Sequence, residues 1–145
     1  MNWPRRSTTR CSEKNNVIIS AFAIGRTQEI LYLLTDLMQR GRIPKTTAIF
    51  VDSPMATAAT EITLKHRKLL DPKSQSLLDW GHNNGGTPHI RFTESVEDSI
   101  ALNNIRHGAI IISASGMCDA GRVKQHLKFN SPRAECTVII VGFQA

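Results

Sequence analysis

Five short apolar runs, most of them unbroken Val and Ile, alternate with segments of helical period, and that alternation leaves few folds open. The runs lie at residues 17–20, 47–51, 89–92, 109–113 and 137–141. A strand that is apolar on both faces must be covered on both faces, which points to a parallel sheet between helices rather than to a half-wet antiparallel one. The links between runs and helices are short, so the crossovers are right-handed. The expected fold class is α/β: a three-layer, doubly wound, mainly parallel sheet of about five strands, Rossmann-like, with a suggested strand order of 3-2-1-4-5. That order puts the switch point between the first and fourth strands, and ligands of such sheets bind beyond the carboxyl ends of the strands at the switch.

The helical segments carry their own signals. Ile30, Leu33, Leu34, Leu37 and Met38 repeat at i, i+3, i+4, i+7 and i+8, with Gly25 and Gln28 at the expected start and Arg40-Gly41 at the end. Ser53-Pro54 predicts a capped second helix with Met55, Ala58, Ala59 and Ile62 inward, stopping before Asp71-Pro72. Residues 71–88 read as a long loop. Thr93 or Ser95 caps a third helix burying Val96, Ile100 and Ala101, and Asp119 a fourth burying Val123 and Leu127. The last run is followed only by residues 142–145, so the expectation is a sheet lacking a covering helix, part of a larger machine.

Length and charge bound the function. At 145 residues the chain fits one domain with a real core. Of the net charge of +6, Arg5, Arg6, Arg10 and Lys14 against Glu13 place half in the first fourteen residues. The remainder is mildly basic, compatible with a polyanionic partner or with solubility alone. No apolar run approaches the ~20 residues that cross a bilayer, so no membrane partner is expected. Cys11, Cys118 and Cys136 are odd in number and widely spaced, against a disulfide framework or a structural zinc site. Residues 1–10 lack the apolar stretch of a secretory signal. The expected setting is cytoplasmic, with residues 1–14 a disordered or non-homologous tail and residues 15–145 the domain.

Three strand ends carry small and hydroxyl residues beside a helix start: residues 20–26, 52–56 and 113–122. Unpaired backbone N–H groups and the helix dipole favour phosphate there, and Arg26 and Arg122 could add charge-assisted bonds. Ser53 and Asp119 could equally be plain caps, and the glycines plain turns. Gly116 and Gly121 have the spacing of a phosphate-binding P-loop, but Arg122-Val123 follow where Lys and Ser/Thr are needed, which excludes that NTPase class. No Gly-x-Gly-x-x-Gly follows the first run. Asp52 lacks the companion acids of a phosphoacceptor site and is expected to bond backbone in its own turn. His66, His82, His89, His107 and His126 show no ligand spacing and read as surface or supporting residues. Cys118, with no identifiable base, reads as packing.

In sequence order, residues 17–29 (VIISAFAIGRTQE), 49–56 (IFVDSPMA), 91–93 with 95–103, 111–122 with its Ser-Gly-Met and Gly-Arg, and 137–145 (TVIIVGFQA) resemble the β-CASP domain of metallo-β-lactamase-fold RNA-processing nucleases. That group includes ribonuclease J and the 3′-end-processing endonuclease. The resemblance covers roughly residues 15–145. It implies a β-CASP type fold that clamps single-stranded RNA against a metallo-β-lactamase domain supplied in cis or in trans. It also implies two zinc ions in the full-length enzyme but none in this chain, whose residues include no His-x-His-x-Asp-His motif. No catalytic or metal residue is assigned. The expected phosphate contacts are Arg26, Ser53, Ser113, Ser115, Gly116 and Arg122, with weak RNA binding and no hydrolysis by the chain alone. Two alternatives remain: an interaction module docking a separate lactamase-type subunit, and a non-functional truncated gene fragment.

Overall fold

The computed structural model describes residues 15–83 and 90–142, with the side chains of 79–83 left aside. Five strands, β1 (Asn16–Ala21), β2 (Ala48–Asp52), β3 (Ile90–Phe92), β4 (Ala109–Ser113) and β5 (Cys136–Val141), form one sheet. Its order is β3-β2-β4-β1-β5, and every pairing is parallel. The expected parallel α/β architecture is therefore present, but the order is corrected. β4 inserts between β2 and β1 and pairs Ile110 with both Ile49 and Val17. The strand buried on both faces and rich in Ile is thereby central, where burial of apolar area is greatest.

The helices are α1 (Arg26–Gln39), α2 (Pro54–Lys65), α3 (Pro72–Asn83), α4 (Val96–Leu102) and α5 (Val123–Asn130). Strand parity sorts them into layers. Val17, Ile19, Ile49, Val51, Ile110 and Ile112 pack under α1 and α2 with Ile30, Leu34, Met38 and Ala56. The alternate residues Phe50, Ala109 and Ile111 pack under α4 with Leu102. α5 lies on this second face, joined to α4 by a buried His126–Asn103 contact.

Four expectations about the helices are corrected. Residues 71–83 are not loop: Asp71 caps α3 by accepting from the Lys73 and Ser74 N–H groups, and Leu77 is buried; the rest of the expected loop, 84–88, lies outside the described residues. α2 turns Ala56 and Thr60 inward and leaves Met55 and Ile62 outside. Burial of Thr60 is tolerated because its hydroxyl donates to the Ala56 carbonyl and accepts from Gln28. α4 likewise buries Ser99 and Leu102, not Val96, Ile100 and Ala101. α1 buries Ile30, Leu31, Leu34 and Met38 as the period requires, but Leu33 and Leu37 lie on the outer flank.

β5 is the main departure from the all-buried expectation. Val138, Ile139 and Ile140 are 37%, 42% and 49% exposed. Among the described residues it is an edge strand bonded only to β1, and its apolar side chains are covered incompletely on both faces. Among the described residues no helix is long and apolar enough to cross a membrane.

Candidate nucleic-acid interface at the carboxyl edge

Phe50 and Asp52 share a face of β2, so the carboxylate that ends the strand points toward α4 and α5. Asp52 is fully buried. Its Oδ1 accepts from the Thr93 hydroxyl and from Arg122 Nη1 at 2.8 Å. Its Oδ2 accepts from Ser99 Oγ at 2.6 Å and from His126 Nε2 at 2.6 Å. Burial pushes this carboxyl up, but the bonds from His126, Ser99, Thr93 and Arg122 together outweigh it and hold the group well below the usual carboxylate range. The expectation that Asp52 serves only its own turn is corrected: it gathers side chains from β3's exit, α4 and α5.

The network continues inward. His126 Nδ1 lies 3.1 Å from Asn103 Oδ1, which also accepts from Asn130 Nδ2 at 3.1 Å. Arg133 donates to Asn130 Oδ1 at 3.0 Å and to the Asn103 carbonyl at 3.0 Å. The guanidinium can only donate, so it fixes the Asn130 amide and, through it, the Asn103 amide. Both nitrogens of His126 then meet oxygen acceptors. No buried side-chain polar atom among the described residues lacks a partner.

A second set of bonds shapes the loop between β4 and α5. The buried Ser20 hydroxyl donates to the Ser115 carbonyl, and the Cys118 thiol donates to Ser20 Oγ at 3.0 Å. Ser115 Oγ donates to Asp119 at 2.7 Å and accepts from the Met117 N–H. Gly121 has φ +77°, and a Cβ there would stand 3.0 Å from the Ala114 carbonyl oxygen. Gly116 lies against the Phe22 ring, which a Cβ would meet at 3.1 Å. Asp119 is thus a loop partner rather than a helix cap; α5 starts later, at Val123.

Between the ends of β1, β2 and β4 lies a cavity of about 240 Å³ lined by Ala23, Ser53, Pro54, Ser115, Gly121 and Arg122, among others. The strand ends that looked alike in sequence do converge here. The expected phosphate contacts differ in access. Arg26 stands outside, paired with Glu29 at 2.6 Å. Ser115 is half-buried at the rim. Ser53 is buried and caps α2 by accepting from the Ala56 N–H at 3.2 Å. Ser113 is buried and donates to the Asp52 carbonyl at 3.1 Å. Arg122 keeps 22% of its side chain exposed while bonding Asp52 and the Glu94 carbonyl. Gly116 is buried beneath Phe22.

Sequence reasoning missed Thr93, Ser99, Asn103, His126 and Asn130 as one buried cluster. Two signals were available: the parity of Phe50 with Asp52, and the Val123, His126, Asn130 stripe at i, i+3, i+7. Of the remaining histidines, His66 and His107 are exposed, whereas the side chains of His82 and His89 lie outside the described ones. Among the described residues no three His, Cys, Asp or Glu side chains converge to hold a metal ion. Asp52 and His126 do not substitute for such a set, because their facing atoms are bonded to each other and to Arg122. Zinc therefore finds no fit in the described part of this chain.

The Beta-Casp domain model matches residues 27–145. Ribonuclease TTHA0252 of Thermus thermophilus is 30% identical over 133 residues, 92% of this chain and 30% of that protein. The RNase J-like protein of Methanocaldococcus jannaschii is 30% identical over 130 residues, 89% of this chain and 28% of its own length. Transcription termination factor FttA of Methanosarcina mazei is 28% identical over 129 residues, 88% of this chain and 20% of its length. The chain spans less than a third of these curated relatives. With the family model covering most of the parallel sheet and its carboxyl edge, the chain belongs to the Beta-Casp domain family.

Proposed function

We propose that this chain is the RNA-clamping portion of a zinc-dependent, metallo-β-lactamase-fold ribonuclease that acts in RNA processing, and that the metal centre belongs to a lactamase domain elsewhere. The observation that carries the reading is the convergence of three strand-end loops on one cavity in a chain whose relatives include ribonucleases. Its part is positional. The Asp52 carboxylate holds Arg122 at the rim, the Ser20–Ser115–Cys118 bonds hold the β4–α5 loop, and Arg26 stands at the start of α1. RNA phosphate would meet Arg26, Ser115 and the exposed part of Arg122. Ser53, Ser113 and Gly116 would shape the backbone behind them. Such contacts position a strand without reading its sequence. The chain alone performs no hydrolysis in this reading, and residues 15–145 form its single domain.

Titration of labelled single-stranded RNA at low and moderate salt tests it. Weak, salt-sensitive binding that falls in Arg26→Gln/Ser115→Ala is expected. Binding indifferent to both salt and these substitutions sinks the contact set.

A second reading has its own observation. The exposed Val138, Ile139 and Ile140 of edge strand β5 suit docking of a separate lactamase-type subunit. Loss of complex formation with such a subunit in Ile139→Lys, with RNA binding retained, favours this reading.

A further inference from the structure

The two edges of the sheet carry opposite charge. In the turns and first helical turns at the carboxyl edge, Arg26, Arg122 and Lys124 are set against Asp52 and five other acids. Among the described residues, helix ends and the loops entering the strands at the amino edge hold ten lysines and arginines against Asp36, Asp71 and Glu135. Topology gathers them. All five strands are parallel, so the segments that enter β2, β4 and β5 lie on one side, and α1 and α2 end there. The two helices run side by side, since Gln28 of α1 bonds Ala56 and Thr60 of α2.

Helix dipoles account for only part of this rim. A cation is favoured in the last turn of a helix, which covers Lys65 and Lys128. α1 has no basic residue in its last turn, and Arg42 lies beyond it. Arg106 lies in the loop between α4 and β4, and Lys73 occupies the first turn of α3, where a cation is disfavoured. All five side chains are exposed.

We infer that this amino edge is a second nucleic-acid surface, holding the phosphate backbone of single-stranded RNA on the side opposite the cavity. The rim runs across a five-stranded sheet, about 19 Å at the usual strand spacing, which suits an extended polyanion better than a compact one. The inference takes RNA as ligand from the reading above but none of that reading's residues. Leu69, 84% exposed beside Lys68, is the feature an acidic protein partner would use instead.

The test is fluorescence anisotropy of a labelled 20-nucleotide oligouridylate with the full 145-residue chain across a salt series. The variant Arg42→Gln/Lys65→Gln/Lys68→Gln/Arg106→Gln should bind about tenfold more weakly at low salt. The slope of log affinity against log salt should shrink by about 3. If circular dichroism shows this variant unfolding early, the two halves, Arg42→Gln/Arg106→Gln and Lys65→Gln/Lys68→Gln, are read separately, each expected to lose about 1.4 in slope. Arg42→Lys/Arg106→Lys should bind like the parent. Unchanged affinity and slope overturn the inference. If only Arg26→Gln/Ser115→Ala weakens binding, the cavity reading stands and this one falls. If only the rim variant does, the reverse holds, and if neither does, both fall. Displacement of the oligonucleotide by polyglutamate as readily as by charge-matched unlabelled RNA also overturns it, in favour of an acidic protein partner.

Discussion

At the carboxyl edge of the sheet the key polar side chains are turned inward and paired, while at the amino edge the charges are turned outward. Asp52 and His126 are fully buried and bonded to each other, and Arg122 completes the cluster from the rim. Arg42, Lys65, Lys68 and Arg106 are exposed. The same residue types therefore do different work. A buried charge in a dry site must be paired and hydrogen-bonded, so it fixes geometry. An exposed charge contributes little to stability and acts instead through the field it presents to a partner.

The largest expected contrast is in stability. Asp52→Ala removes the shared carboxylate that faces His126 Nε2 and Arg122 Nη1 and should cost about 3–5 kcal/mol in urea denaturation. Lys68→Ala at the other edge should stay within about 0.5 kcal/mol. Equal costs at the two sites would break the comparison.

Acid sharpens it further. The folded carboxyl of Asp52 titrates below its ordinary value of 3.8, so below that value the unfolded chain binds the extra proton. The Asp52 contribution is present above about pH 4 and is lost as pH falls from there toward the folded value. Asp52→Asn should flatten the acid limb of the stability–pH profile, and a limb that keeps its slope would show that other groups set it.

A smaller effect tests the loop. Gly121→Ala places a side chain at positive φ and against the Ala114 carbonyl, and should cost about 1–2 kcal/mol by the same denaturation assay. On the charge side, Glu97→Gln/Asp98→Asn removes repulsion at the carboxyl edge. It should tighten RNA binding at low salt by a few-fold, an effect of about 0.2–1 kcal/mol, and the gain should vanish at high salt. The smallest change expected is Glu29→Gln, which removes an exposed pair with Arg26 and should alter stability by less than about 0.5 kcal/mol.

The sheet was legible in the sequence because continuous Val/Ile runs such as 109–113 are tolerated only where both faces are covered. The start of α1 was legible from Gly25 and Gln28, whose amide oxygen accepts from the Gly25 N–H at 2.7 Å. The inner faces of α2 and α4 were not. There the buried positions include Thr60 and Ser99, polar residues whose hydroxyls find partners only in the folded molecule. Periodicity ranks positions by apolarity and so passes over a hydroxyl satisfied from a distance. β5 fails in the opposite sense: Thr137–Val141 has the composition of a buried strand, but burial depends on neighbours that composition does not specify.

By itself, then, the sequence determined the alternation of strands and helices, the parallel class of the sheet and the loops that carry its strand ends, because these depend on local period and turn chemistry. Tertiary structure alone decided that β4 lies between β2 and β1, that Asp52 meets His126 across 74 residues of chain, and that the basic loops share one edge. Those outcomes depend on which distant segments become neighbours, and a buried carboxylate or a charged rim acquires its energy only from the groups that folding brings beside it.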